Sequence, residues 1–168
     1  MRRHRTVVVG SIVALLLAGA IPVAMAAFRG SAASACTQSQ LNVRENGSQG
    51  AAGTIRGAWV FTNRSNAACN MNGYPDLQMY RKGGRPLPTT TKKNLSPGPS
   101  QVVLDPDDSG TFLSSYTDVP SGSEKCTSSR VLEITAPGAS AGLFIPATLM
   151  PCGGVIRVSA VEAGVHGP

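Results

Sequence analysis

The four cysteines constrain the fold of this chain most, because two cross-links would join residues that are far apart in the sequence. They are Cys36, Cys69, Cys126 and Cys152. Structural zinc sites usually contain closely spaced C-x₂₋₄-C pairs, and this sequence has none. An even number of cysteines in an exported chain indicates disulfide bonds, so we expect two of them. The residues alone leave three pairings open.

Residues 1–26 have the composition of a secretory signal peptide. Three arginines within MRRHRT precede an uncharged run from Val7 to Phe28, and the A-x-A element ending at Ala26 provides a cleavage site. The same run reaches the roughly 20 residues needed to cross a bilayer, so an uncleaved anchor is the alternative. Either way, the rest of the chain is expected outside the cytoplasm, secreted or in the cell envelope. Membrane contact is then expected only through an uncleaved N-terminal segment.

The exported part of the chain is expected to hold one domain. We predict a flexible linker at residues 27–35, a single domain at residues 36–162 and a disordered tail at residues 163–168. Loss of residues 1–26 removes three of the 15 basic residues and no acid, which leaves 12 basic against nine acidic residues, a net charge of +3. A charge this small gives no reason to expect a nucleic-acid partner.

Short segments with alternating apolar residues, separated by Gly, Pro, Asn and Asp, predict an all-β fold. In TIRGAWVFT, for example, Ile55, Trp59 and Phe61 fall on one face of a strand. The predicted strands are residues 40–44, 54–62, 76–81, 101–104, 111–117, 130–135 and 155–161. About seven strands predict an immunoglobulin-like antiparallel β-sandwich.

Two segments between strands are candidate regions for binding a partner. The first is a predicted hairpin at residues 81–93, and the second is a predicted long loop at residues 136–151 with apolar content. Binding residues favour loops carried on a rigid scaffold, and clustered cations attract anions, although a solvated charged loop is the alternative. The candidate residues are Arg81, Lys82, Arg85, Lys92, Lys93, Leu143 and Phe144. The expected partner is a protein or polymer of the cell envelope.

No catalytic or cofactor-binding residue is predicted, and the chain is expected not to be an enzyme. Residues 138–142, GASAG, match the G-x-S-x-G pattern of a serine nucleophile, and Glu162 and His166 follow in the order of a triad. However, no helical pattern follows Ser140, and no histidine lies between residues 36 and 162 to act as a general base. A small serine hydrolase that uses Ser140 remains the alternative.

The segment DPDDSG at residues 105–110 is similar to the first half of a calcium-binding loop. Asp105, Asp107 and Asp108 are therefore weak calcium candidates. The twelfth position of such a loop normally carries a bidentate Glu, but here it is Tyr116. A turn between two strands explains the segment without an ion, so no metal is predicted, and a calcium-linked binding module is kept as an alternative.

The segment FTNRSNAACNMNGYP, residues 61–75, carries a resemblance to a known family. Its Cys69, followed by Met71, Gly73, Tyr74 and Pro75, is similar to the C-x-L-x-G-Y-P element of the actinobacterial domain-of-unknown-function 4232 family of secreted proteins and lipoproteins. The resemblance implies a β-sandwich with Cys36–Cys69 and Cys126–Cys152 disulfides, each stabilising by about 3–4 kcal/mol in the chain-entropy model. It implies no activity and no catalytic residue.

Overall fold

The computed structural model describes residues 33–93 and 99–168. The predicted signal peptide and most of the predicted linker lie outside the described residues. The strands are β1 (Leu41–Ala51), β2 (Thr54–Asn63), β3 (Cys69–Asn72), β4 (Asp76–Tyr80), β5 (Thr90–Lys93), β6 (Gln101–Leu104), β7 (Ser109–Thr117), β8 (Val131–Thr135), β9 (Leu143–Pro146), β10 (Val155–Val158) and β11 (Glu162–Ala163). A 3₁₀ turn covers Gln38–Gln40. No helix of the described residues has the length and apolar character of a membrane span.

The strands form a large sheet and an opposite layer made of two small sheets. The large sheet has the order β1-β2-β7-β10-β5, and β11 also pairs with β7. The opposite layer consists of the β3–β6 pair and the three-stranded sheet β4-β8-β9. This sandwich-like arrangement confirms the predicted all-β fold, and the Cys36–Cys69 and Cys126–Cys152 disulfides confirm the pairing that the resemblance implied.

The core lies between the two layers because each strand alternates its side chains between two faces. The large sheet contributes Trp59, Phe61, Phe112, Ile156 and Val158, and the opposite layer contributes Met71, Leu77, Met79, Leu104, Leu132 and Ile134. The Trp59 and Phe112 rings stack with centroids 6.4 Å apart. The buried indole Nε1–H of Trp59 donates a hydrogen bond to Ser114 Oγ at 2.8 Å, so its polar group is satisfied inside the core.

The strand number and strand directions differ from the prediction. The described residues contain eleven strands rather than about seven, since β3, β5, β9 and β11 were not predicted. These four have only two to four residues each and lack a clear apolar alternation, so pairing with distant strands decides them. β5 also runs parallel to β10, which makes the large sheet mixed rather than purely antiparallel.

Residues at both ends of the domain form hydrogen bonds to its strands. Residues 33–35, assigned to a flexible linker, run beside β3, where Asn70 Nδ2 donates to the Ala33 carbonyl and Asn70 N donates to the Ser34 carbonyl at 2.8 Å. Cys36 N donates in turn to the Asn70 carbonyl at 2.9 Å. The end of the linker is therefore paired with the domain through Asn70 and tied to it by the adjacent disulfide.

The predicted disordered tail, residues 163–168, forms hydrogen bonds to the large sheet. Thr111 Oγ1 of β7 donates to the Gly164 carbonyl at 2.6 Å and accepts from His166 N at 3.1 Å. Asn46 of β1 donates through Nδ2 to the His166 carbonyl at 2.9 Å. The tail lacks an apolar pattern, but its backbone has hydrogen-bond partners on two strands of the sheet.

The turn between β1 and β2 predicts a stabilising substitution. Ala52 and Gly53 are its two central residues, with φ of 49° and 73°, as in a type I′ turn. Alanine adopts positive φ at a cost, whereas asparagine tolerates it better. We expect Ala52→Asn to raise the free energy of unfolding, measured by urea titration, by about 0.5–1 kcal/mol. The control is Ala51→Asn in the strand; an equal gain there would contradict the explanation by turn geometry.

Candidate anion-binding surface

A line of cationic side chains crosses the outer face of the large sheet. Arg56 on β2 is directly opposite Ser115 on β7, and Ser115 is directly opposite Arg157 on β10. Arg157 is in turn opposite Lys92 on β5. We call Arg56, Ser115, Arg157 and Lys92 the cationic row. Since neighbouring strands lie about 4.8 Å apart, the row extends over about 14 Å of backbone.

The core fixes the side of the sheet on which this row lies. Arg157 stands between Ile156 and Val158, which are 0% and 1% exposed. On β7, Ser115 follows Ser114, which faces inward and accepts the Trp59 hydrogen bond. A one-residue slip of either strand would bury the polar row and expose core residues, so the alternation of each strand holds the row outward.

No cation of the row forms an ion pair with an acidic side chain of the described residues. All nine Asp and Glu residues lie within the described ranges. Among these ranges a single ion pair forms, between Arg64 and Asp107 at 3.0 Å, remote in the sequence from the row. Like charges directly opposite each other on neighbouring strands destabilise a sheet, and Arg157 and Lys92 are such a pair. The like charges of the row therefore lower the stability of the fold slightly, and they are available to bind an external anion.

Two open cavities lie beside the row, one toward each end of the strands. One, of about 430 Å³, is lined by Lys92, Ser115 and Arg157 together with Thr54, Tyr116, Thr117, Glu124, Cys152 and Val155. The other, of about 380 Å³, is lined by Arg56, Ser115 and Arg157 together with Leu113, Ser114, Val158, Ser159, Ala160, Glu162 and Pro168. Both volumes fall in the range of sites for small molecules.

The second disulfide forms part of the wall of the larger cavity. Cys152 lines the cavity, and its backbone N–H donates to the Thr117 carbonyl at 2.9 Å. Gly153 N donates to the Lys125 carbonyl at 3.1 Å, which places Glu124 at the rim. Glu162 lines the smaller cavity. Each cavity therefore combines cations of the row with one exposed carboxylate that is not paired with them.

The five basic residues of the predicted hairpin lie in two different parts of the structure. Arg81, Lys82 and Arg85 lie in an exposed turn closed by the hydrogen bond from Arg81 N to the Arg85 carbonyl. Lys92 and Lys93 instead belong to β5 of the large sheet, and Lys93 Nζ lies 5.9 Å from the centre of the Tyr74 ring. Beyond the turn the chain stays beside β4, because Thr89 Oγ1 and Thr91 Oγ1 accept hydrogen bonds from Met79 N and Leu77 N.

The predicted loop residues Leu143 and Phe144 lie on β9, on opposite faces of the small sheet. Leu143 packs against the core, whereas Phe144 is 59% exposed, and its ring centre lies 5.6 Å from that of Tyr80. The Tyr80 hydroxyl donates to Glu133 Oε2 at 2.7 Å. This hydrogen bond, with smaller contributions from burial and the negative charge of Glu133, raises the pKa of the Tyr80 phenol above its usual value.

The residues of the serine-hydrolase alternative are placed on different elements. Ser140 is exposed in the loop between β8 and β9, where it makes no hydrogen bond within the described residues. His166 lies against β7 and bonds through Nε2 to the Ala163 carbonyl at 2.8 Å. Glu162 is paired with Thr111 on the large sheet. A triad needs a direct hydrogen bond between serine and histidine, and no such bond joins Ser140 to His166.

Two of the three carboxylates of the calcium alternative accept hydrogen bonds from protein groups. Asp107 Oδ1 accepts from Arg64 Nη1 at 3.0 Å, and Asp108 Oδ2 accepts from Asp105 N at 3.3 Å. Within the described ranges no cluster of three or more His, Cys, Asp or Glu side chains could hold a metal. The segment is a tight turn in which Asp107 adopts φ of 66°, a conformation that aspartate tolerates.

Sequence reasoning did not predict Arg56 and Arg157 as site residues. A signal was present, because each is the only charged residue in an otherwise uncharged strand, TIRGAWVFTN for β2 and VIRV for β10. The alternation also places both on the face away from the core. What the sequence does not show is that β2 and β10 flank the same strand, which brings the two arginines into one row.

These features define a disulfide-linked β-sandwich domain with a cationic outer sheet face. The chain belongs to the family described as Domain of unknown function (DUF4232), whose model matches residues 36–162. This match confirms the family that the sequence resemblance indicated. No curated protein and no solved structure matches the chain.

Proposed function

We propose that this protein is a non-enzymatic binding domain, secreted or held in the cell envelope, and that its cationic row binds an anionic partner there. The observation that carries the proposal is the alignment of Arg56, Arg157 and Lys92 on one exposed face without a carboxylate partner. A charge pattern that costs the fold stability and has no internal partner is best explained by an external one.

The location outside the cytoplasm rests on two features of the chain. The N-terminal residues have the composition of an export signal, and all four cysteines are in disulfides, which persist in oxidising compartments. The partner is then a protein or polymer of the envelope that carries negative charge. A binding role fits the site better than catalysis does, since Ser140 and His166 are not hydrogen-bonded to each other.

The proposal is tested by measuring how much of the protein binds to envelope fragments of the producing cells. The triple variant Arg56→Gln, Lys92→Gln and Arg157→Gln should bind these fragments roughly 10- to 100-fold more weakly, because each exposed charge contact contributes about 0.5–1 kcal/mol. The matched control is Arg81→Gln, Lys82→Gln and Arg85→Gln, which removes the same charge from the turn after β4. This control should bind like the unchanged protein.

Equal binding by both triple variants would contradict the proposal, because charge on the outer sheet face would then contribute no more than charge in the turn after β4. A loss in the control alone would place the site at the turn after β4 and would also contradict it. Circular dichroism of each variant separates loss of binding from loss of folding, and all six substituted side chains are exposed.

A further inference from the structure

We infer that the cationic row binds a phosphodiester-linked polymer that lies along the row, across the strands of the large sheet. This inference rests on the proposed function and specifies its partner. It concerns the chemistry of the bound chain and its direction on the protein. Both follow from the spacing of the charges, the side chains between them and the cavities on either side.

The spacing of the charges favours a polymer over a small anion. Arg56 and Arg157 are two strands apart, about 10 Å, and Lys92 is one strand further, about 5 Å. A single small anion that bound all three would draw three like charges together, against their mutual repulsion. A chain with a negative charge in each repeat unit neutralises the cations at their own separations. Arginine is also suited to phosphate, because its guanidinium can bind two oxygens at once.

The side chains between the charges favour a highly polar partner. Ser115 lies between the two arginines, and Thr54 and Thr117 form the next pair along the strands. Hydroxyl groups can donate to phosphate oxygens, whereas protein–protein hot spots are enriched in Trp, Tyr and Arg anchors set in apolar pockets. Tyr116 also lines the larger cavity, but it packs against the core. The row itself has no aromatic side chain on which a nucleobase would stack.

The cavities provide space for the uncharged parts of such a polymer. The two cavities, of about 430 and 380 Å³, share Ser115 and Arg157 and lie on opposite sides of the row. A polymer that places its phosphates on the row can direct the polyol or sugar units between phosphates into either cavity. The threonine and serine hydroxyls of the walls are suitable hydrogen-bond partners for those units.

The two carboxylates beside the row limit its affinity for anions. Glu124 lines the larger cavity and Glu162 the smaller one, and neither forms an ion pair. If the ligand is a polyanion, Glu124→Gln and Glu162→Gln should tighten its binding by roughly 2- to 5-fold each, since each removes a like charge close to the ligand. If the ligand were cationic or neutral, these changes would weaken its binding or leave it unaltered.

Binding of the purified protein to poly(glycerol phosphate), measured by calorimetry, tests the inference. Binding should weaken about 10- to 20-fold between 50 and 200 mM salt, as expected for about three phosphate contacts. It should weaken roughly 10- to 100-fold in the row triple variant and remain unchanged in the Arg81, Lys82 and Arg85 control. Polyglutamate and phosphatidylglycerol vesicles serve as comparison ligands, and both should bind at least 10-fold more weakly.

The outcomes separate this inference from the proposed function. If envelope retention depends on the row but poly(glycerol phosphate) does not bind, the partner has another chemistry, and only the inference is overturned. Equal affinity for polyglutamate overturns it in favour of a general polyanion surface, and preferred binding to vesicles overturns it in favour of a membrane surface. If envelope retention does not depend on the row either, the proposed function fails as well.

Discussion

Replacing Cys36 and Cys69 together with alanine should lower the free energy of unfolding by about 3–5 kcal/mol. The disulfide closes a sequence separation of 33 residues, and its loss frees the unfolded chain to sample more conformations. Both cysteines are also 0% exposed and belong to the core cluster, so their removal leaves a cavity. Typical domains are stable by only about 5–15 kcal/mol, so this loss would be a large fraction of the total stability.

Denaturant titration of this variant is best compared with the double alanine variant of Cys126 and Cys152. That second disulfide closes a similar separation of 26 residues, but Cys126 is only half-buried. We therefore expect a smaller loss, about 2–4 kcal/mol, from the second pair. If the two pairs cost the same, loop closure alone explains both, and burial of the first disulfide contributes nothing beyond it.

Asn63→Asp should destabilise the protein by about 3 kcal/mol or more at neutral pH. The Asn63 side chain is 0% exposed, and its Nδ2 donates to the carbonyls of Leu104 at 2.9 Å and Ala67 at 2.8 Å. Its Oδ1 accepts from Ser65 N and Ser65 Oγ. Aspartate has nearly the same shape, but its carboxylate would face two carbonyl oxygens and could not donate to either of them.

The pH dependence of this variant distinguishes a buried charge from a simple loss of packing. Burial raises the pKa of an aspartate in the folded protein above its pKa in the unfolded chain. The variant is therefore destabilised least at pH values below the pKa of the unfolded chain, where the carboxyl is protonated in both states. The loss should increase as the pH rises through the folded pKa. Unfolding by urea at pH 4 and pH 7 measures it, with Asn42→Asp, on an exposed site of β1, as the control. An equal loss at both pH values would contradict the role assigned to the amide.

The burial of Asn63 also shows how local sequence can mislead. Asn63-Arg64-Ser65 has the pattern of an N-glycosylation site, which is normally on the surface. In the structure the amide closes the turn after β2 and connects it to the end of β6, and both the Asn63 and Leu104 side chains are buried. The sequence shows the motif, but only the position of β6 shows that the side chain is already fully bonded.

Several features of the fold were predictable because they depend on local pattern. β4, β6 and β8 fall within one residue of their predicted bounds, since their alternation is regular and their ends carry turn residues. The short β5 and β9 were not predictable in this way. β5 has the sequence TTKK, and its place beside β10 depends on threonine hydroxyls that bind β4 and on Thr90 N, which donates to the Gly154 carbonyl at 2.8 Å.

The candidate site was predictable only in part. Lys92 was among the predicted residues because it lies in a basic segment, whereas Arg56 and Arg157 are isolated charges, about 100 residues apart in the chain. The turn residues Arg81, Lys82 and Arg85 satisfied the same compositional criterion as Lys92 but lie in the turn after β4. Composition finds clusters along the chain, and binding surfaces are clusters in space.

By itself, the sequence determined the all-β class, the family and most of the core strands, because alternation, turn residues and the spacing around Cys69 are local properties. The tertiary structure alone decided which strands are neighbours. It placed β7 between β2 and β10, added β5 in parallel, and so aligned Arg56, Ser115, Arg157 and Lys92 in one row. The physical reason is that strand pairing depends on backbone hydrogen bonds and core packing between distant segments, to which the charged side chains on the outer face contribute little.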